Sequence, residues 1–157
     1  MSYITQIEEW AVEKLKSNAD LARSCAVDIH PDDIDSYRAP TGRGLILVRY
    51  VDTTTIPEPT QGARRDIVRA TKTLVFELQY RIVALRGTAG INAIREAVEE
   101  TLSGEMPKVV SNNFTVTEPF YHLRGGVLGK PRGKSYWDFR DIFETTVVHQ
   151  KRVRAPS

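Results

Sequence analysis

The stretch Thr73–Leu85 limits the fold more than any other part of the chain. Leu74, Phe76, Leu78, Tyr80, Ile82 and Ala84 fall on one side of an extended backbone; Val75, Glu77, Gln79, Arg81, Val83 and Leu85 fall on the other. Side chains alternate across a strand with a period of two. The pattern therefore predicts a strand about twice the usual length of about six residues. One face is core, and the other mixes charge with apolar ends. A strand of this length can run beyond its own domain toward a neighbour.

The rest of the chain alternates between helical and extended patterns. Ile4, Ile7, Trp10, Ala11 and Leu15 recur at three- and four-residue spacing, which predicts an opening helix ending near Ser17-Asn18. Thr5 and Glu8 fit a capping box at its start. A short turn over Ala19 to Arg23 leads to a strand, Cys25 to Ile29, and then to the polar turn His30-Pro31-Asp32-Asp33. Gly44 to Val51 reads as a strand covered on both faces, and Thr53 to Gly62, with Pro57 and Pro59, as an extended loop or arm. After the break at Arg86-Gly87, Ile91, Ile94, Val98, Thr101 and Leu102 mark a second helix, stopped by Gly104 and Pro107. Asn113 to Leu123 is expected to be an edge or bulged strand because of Pro119. Residues 124–135 are expected to be a loop, and Tyr136 to His149 a final strand. The order implies one α+β domain: an antiparallel or mixed sheet packed by two main helices.

Size and composition agree with a single folded domain. The 157 residues are 41% hydrophobic and 27% charged, which suits an ordinary globular core. The longest aliphatic run, Leu45-Ile46-Leu47-Val48, is far short of the roughly 20 residues of a membrane helix. No secretory signal is visible, so folding in cytoplasm is expected. The lone Cys25 excludes an internal disulfide and lies in an apolar stretch, as a core residue would. The net charge of +2 conceals a division. Residues 1–60 hold ten acids and six bases; residues 61–157 hold ten acids and sixteen bases. Such halves can meet between copies of one chain, and head-to-tail contacts of that kind close into rings.

Motifs for chemistry fail on particular residues. A phosphate-binding loop ending Gly133-Lys134-Ser135 needs a glycine where Leu128 stands; one ending at Gly129-Lys130 fails at Arg124 and at Pro131. Asp28, His30, Asp32, Asp33 and Asp35 crowd together but lack the central glycine and closing glutamate of a calcium loop. His122 and His149 belong to no ligand spacing, and no nucleophile elbow occurs. No catalytic residue, cofactor or metal site is assigned, and the chain is not expected to be an enzyme. The bases fall in three clusters: Arg64, Arg65, Arg69 and Lys72; Arg124, Lys130, Arg132 and Lys134; and the tail from Lys151 to Arg154. Clusters of this kind serve either a protein interface or phosphates, so a small nucleic-acid-binding domain is the alternative.

A family likeness lies in the order of these segments. The opening helix, the strand ending Leu47-Val48-Arg49-Tyr50, and the long strand ending Val83-Ala84-Leu85-Arg86-Gly87 come first. The helix Ile91-Asn92-Ala93-Ile94-Arg95-Glu96-Ala97-Val98 follows, closing Leu102-Ser103-Gly104, and a late strand opens Trp137-Asp138-Phe139. This order is similar to the Mu-type tail terminator family of contractile-tailed phages and related tail-like particles, and more distantly to the phage lambda tail terminator. The resemblance spans roughly residues 3–150 and implies a tail-terminator-like domain over 1–150, with 151–157 a basic tail. It implies a hexameric ring that caps the tail tube, stops its polymerisation and offers a docking surface to the head–neck connector or sheath. DNA would be cargo passing the lumen. The location implied is the virion tail, or a tail-like particle, assembled in bacterial host cytoplasm. The expected interface residues are Arg64, Arg65, Arg69, Lys130, Arg132 and Lys134 on one face. Asp28, Asp32, Asp33 and Asp35 are expected on a complementary one.

Overall fold

The computed structural model describes residues 1–34, 43–58, 67–84, 86–88 and 90–152. Helix α1 (Tyr3–Ser17) starts three residues earlier than a Thr5 cap would allow. Its cap is Ser2, whose Oγ accepts the Thr5 amide at 3.1 Å. That bond satisfies one of the amides every helix start leaves open. Ile7, Trp10, Ala11, Val12 and Leu15 form the buried stripe. Asn18 ends α1 and begins α2 (Ala19–Ser24): its Oδ1 accepts from the amides of Asp20 (3.0 Å) and Leu21 (3.2 Å). Its Nδ2 donates to Thr101 Oγ1 at 3.0 Å, which ties this corner to α3 (Ile91–Leu102). Among the described residues there are three helices, one more than the two main ones expected.

Six strands form one mixed sheet: β1 (Cys25–Ile29), β2 (Gly44–Pro57), β3 (Ile67–Ile82), β4 (Phe114–Val116), β5 (Tyr121–Gly129) and β6 (Trp137–Arg152). The order across the sheet is β1-β2-β3-β6, with β4 and β5 both on the far side of β6. β1 runs parallel to β2, and every other pairing is antiparallel. The long alternation is β3, and it is longer than expected. Its 16 residues pair with β6 from Ile67↔Arg152 to Ile82↔Trp137. The α+β class and the single compact domain follow from this one sheet and its helices.

One face of the sheet holds the core. Ile46, Val48, Leu74, Phe76, Leu78, Tyr80, Phe139, Phe143 and Val147 pack with the stripes of α1 and α3. Phe120, in the link between β4 and β5, is fully buried among the rings of Trp10, Phe76 and Phe143, with centroids 5.4–5.8 Å apart. Burying one such side chain contributes about 1.5–3 kcal/mol. Its position explains why the expected Asn113–Leu123 strand is two strands. Pro119 breaks the ladder, and Phe120 turns inward, its carbonyl accepting from Gly104 N at 2.8 Å. A three-ring stack of Tyr3, Phe114 and His149 joins the start of α1 to β4 and β6.

Two expected loops are strands. β2 continues from Thr53 to Pro57 because each residue there finds a partner on β3, Leu74 to Ala70. Pro57 is tolerated as the last residue of the strand, where a missing amide costs no ladder bond. Arg124 to Gly129, expected as loop, belongs to β5. Lys151 and Arg152, expected in the tail, extend β6.

Candidate interaction surface

Past Tyr50 the side chains of β2 are exposed or half-exposed, and so are those of β3 from Ile67 to Thr73 apart from buried Ala70. β2, β3 and the end of β6 thus make a ribbon that continues beyond the helix-covered core. Arg69 lies on it, 3.4 Å from Glu58 across the hairpin, and Lys72 Nζ donates to Thr55 Oγ1 at 3.1 Å. Beside it, Ile67, Asn112, Asn113, Thr115, Gln150 and Arg152 line a cleft of about 470 Å³.

Among the described residues, the expected interface bases do not form one patch. Arg69 pairs with Gln150 of β6, whereas the chain leaves β5 for Lys130 beside Asp138. Twelve residues of β6 separate those rows, about 40 Å at a rise of about 3.3 Å per residue. Lys130, whose Nζ lies 6.0 Å from the Trp137 ring centre, shares its turn with exposed Arg132 and Lys134. Asp28 is exposed on β1, its Oδ1 accepting the Ile29 amide at 2.8 Å, and Asp32 and Asp33 are exposed in the turn that follows. The acids and the 130–134 bases therefore lie at opposite edges of the sheet. Arg64, Arg65 and Asp35 lie outside the described residues.

Two charged groups on the sheet, Asp141 and Glu77, are buried although the alternation alone does not mark them as such. Asp141, between Phe139 and Phe143, points into the core face and is 2% exposed. Arg95 of α3 grips its carboxylate with two bonds, 2.7 and 3.0 Å, and His122 Nε2 is 2.8 Å away. The bond to Asp141 holds the Arg95 guanidinium above its usual range. A buried carboxylate persists only with such partners. Gly125 makes room for it, because a Cβ there would sit 1.7 Å from Asp141 Oδ1. On the opposite face Glu77 is 6% exposed and held by Arg49 at 2.8 Å, with Arg140 at 3.8 Å. Next to it Arg81 faces Asp138 at 3.6 Å; burial raises the Asp138 carboxyl, and Arg81 draws it back.

The geometry of these groups is that of structural pairs. The second ring nitrogen of His122 faces Glu99 at 3.9 Å rather than a hydroxyl or thiol that it could activate. Burial pushes the Cys25 thiol up to about 11, with Arg43 opposing, so the thiolate nucleophile is scarce at neutral pH. Among the described residues no group of three or more His, Cys, Asp or Glu could hold a metal ion, and no helix is long and apolar enough to cross a membrane. No protein-family model matches the chain, and no curated protein matches it.

Proposed function

We propose that this chain is a structural tail terminator that assembles into a hexameric ring on the end of a tail tube. The ring stops tube growth and offers its outer surface to the head–neck connector, and in a contractile particle to the last sheath ring. No chemistry is asked of it, and DNA is cargo passing the lumen. Its site of action is the virion tail or a tail-like particle, after assembly in the bacterial cytoplasm. The observation that carries this reading is the ribbon of β2, β3 and β6, strands of 14 and 16 residues whose side chains are mostly exposed or half-exposed past Tyr50 on β2, before Leu74 on β3 and after Val147 on β6. A ring seated on a tube needs such segments to reach the layers above and below. The order and spacing of the segments supply the likeness to tail terminators.

Electron microscopy of purified particles together with native mass measurement tests the reading. Six-fold rings containing this chain at the tube end are the expected result. A monomer that ignores purified tubes and binds DNA tightly, with affinity falling steeply as salt rises, overturns it and favours the nucleic-acid alternative, to which Lys130, Arg132 and Lys134 would contribute. Charge reversal at Arg64 and Arg65 is expected to weaken ring or tail assembly while leaving the fold intact; unchanged assembly removes those two residues from the interface.

A further inference from the structure

The sheet face turned away from the core carries bases above acids. Cross-strand partners share a face, and three successive rows cross this one. They are Arg49, Glu77, Ile142 and Arg124; then Leu47, Gln79, Arg140 and Gly126; then Leu45, Arg81, Asp138 and Gly129. The two carboxylates lie low, with the side chains of Glu77 and Asp138 only 8% and 17% exposed. The side chains of Arg49 and Arg140 stand above them at 47% and 45%. Arg140, 3.8 Å from Glu77, is beyond hydrogen-bond distance of it. Arg124 is exposed and makes no ion pair among the described residues. Four arginines over two sunken carboxylates thus present a positive surface to solvent.

At one end these rows lead into the turn that joins β5 to β6. Pro131 O accepts from Lys134 N at 3.0 Å, and Gly133 between them has a φ of 74°, which its lack of a side chain permits. The closed turn holds Arg132 and Lys134 outward, both exposed and neither in an ion pair among the described residues. No acid occurs anywhere in residues 124–135. Two aromatic rings flank the turn, with Lys130 over Trp137 and the Arg81 guanidinium 5.2 Å from the Tyr136 ring centre. The other end is bounded by the next row, Asp52, Val75 and Glu144, which is acidic. The bases therefore form a track along β6, about 13 Å from Ile142 to Asp138 at about 3.3 Å per residue, and then the turn.

We infer that this track, from Arg124 and Arg140 to the turn of Lys130, Arg132 and Lys134, is a contact surface for the phosphate backbone of DNA. Arginine and lysine side chains supply such contacts, which hold a duplex without reading its sequence. Gly126, in the middle row, has nothing within 4 Å of the place a Cβ would take, so a sugar–phosphate chain can come close to β5 there. The choice of DNA rests on the reading of the chain as a ring that DNA passes through, and it assigns the face that meets this cargo. A few phosphate contacts per subunit, blind to sequence and weakened by salt, guide a moving duplex without arresting it.

Fluorescence anisotropy of short labelled DNA duplexes with the full chain, across a salt series, tests it. Two duplexes of unrelated sequence are expected to bind equally, with Kd on the order of 10⁻⁴–10⁻⁶ M near physiological salt and a log–log salt slope of about −5 for six bases. Replacing Lys130, Arg132 and Lys134 together by Ala is expected to make that slope shallower by about 3, and Arg140→Gln by about 1. Lys151→Ala, exposed at the far end of β6, is expected to leave it unchanged; retained melting curves show that each variant folds. A slope unmoved by the triple variant, or moved as much per base by Lys151→Ala, overturns the inference. So does polyglutamate that binds more tightly than the duplex at equal charge, which reports a surface for an acidic protein. The triple variant is expected to form rings on tubes as the wild type does; loss of its rings makes the turn a subunit contact and overturns the inference. Wild-type rings with no DNA binding overturn it too and leave the ring reading standing. Tight DNA binding by a chain that forms no rings overturns the ring reading, while a shallower slope in the triple variant still supports the track.

Discussion

Gly125 is the position where a single methyl group tests the architecture of β5. A Cβ there meets Asp141 Oδ1 at 1.7 Å, Arg95 Nη2 at 2.5 Å and Asp141 Cγ at 2.8 Å. Real Cβ atoms do not approach so closely, so Gly125→Ala must push the carboxylate off its two Arg95 bonds or move β5 away from β6. Overpacking a core costs about 1–3 kcal/mol. Separating a buried ion pair costs about 3–5 kcal/mol, less here because Arg95 is partly exposed. The expected loss is therefore about 3 kcal/mol, which for a chain of this size lowers Tm by roughly 6–12 °C. Gly126→Ala is the matched control. Nothing lies within 4 Å of its Cβ, and replacing a glycine where the backbone is compatible stabilises by about 0.4–1 kcal/mol. Urea unfolding of both variants, under conditions where the chain is monomeric, measures the difference. If the two midpoints coincide, the claim that glycine is required by the Asp141–Arg95 pair is wrong.

Asn18→Ala removes both α2 cap bonds and the bond to Thr101, and is expected to cost about 1–2 kcal/mol by the same unfolding measurement. Tyr80 gives a dependence on pH. Burial, and the neighbouring negative charge of Asp141 after it, raise its phenol well above 10. The folded chain therefore keeps that proton when the unfolded chain releases it. The stability it contributes is whole below pH 10 and is lost as pH rises beyond that value. Stability measured from pH 9 to 11.5 is expected to fall less steeply in Tyr80→Phe than in wild type; equal slopes refute the assignment.

The strands β3 and β6 and the helices α1 and α3 are legible because their burial repeats at a single period. Their ends are less so, since the repeat fades where the ribbon leaves the core. β5 is hidden for a physical reason. Gly125 is present to clear a buried carboxylate that comes from another strand, and glycines beside bases otherwise read as loop. Asp141 itself interrupts an apolar face, and its tolerance depends on Arg95, 46 residues earlier. No local pattern contains that pairing. The candidate bases and acids were visible as clusters, but whether clusters adjoin depends on sheet order. That order separates Arg69 from Lys130 by most of the length of β6 and carries the acids to the far edge.

The central pair of the sheet also sets when this chain can fold. Partners on β3 and β6 are at least 55 residues apart in sequence, and β6 lies between strands made before it, with β3 on one side and β4 and β5 on the other. β1, β2 and β3 can associate early through shorter connections, but β4 and β5 have nothing to join until β6 has been synthesised. Closing such a distant pairing is slow compared with helix formation. The edge strand β5 therefore does not exist as a strand on a nascent chain. It takes shape only after the last described strand has closed the sheet, so the β5 edge belongs to completed subunits alone.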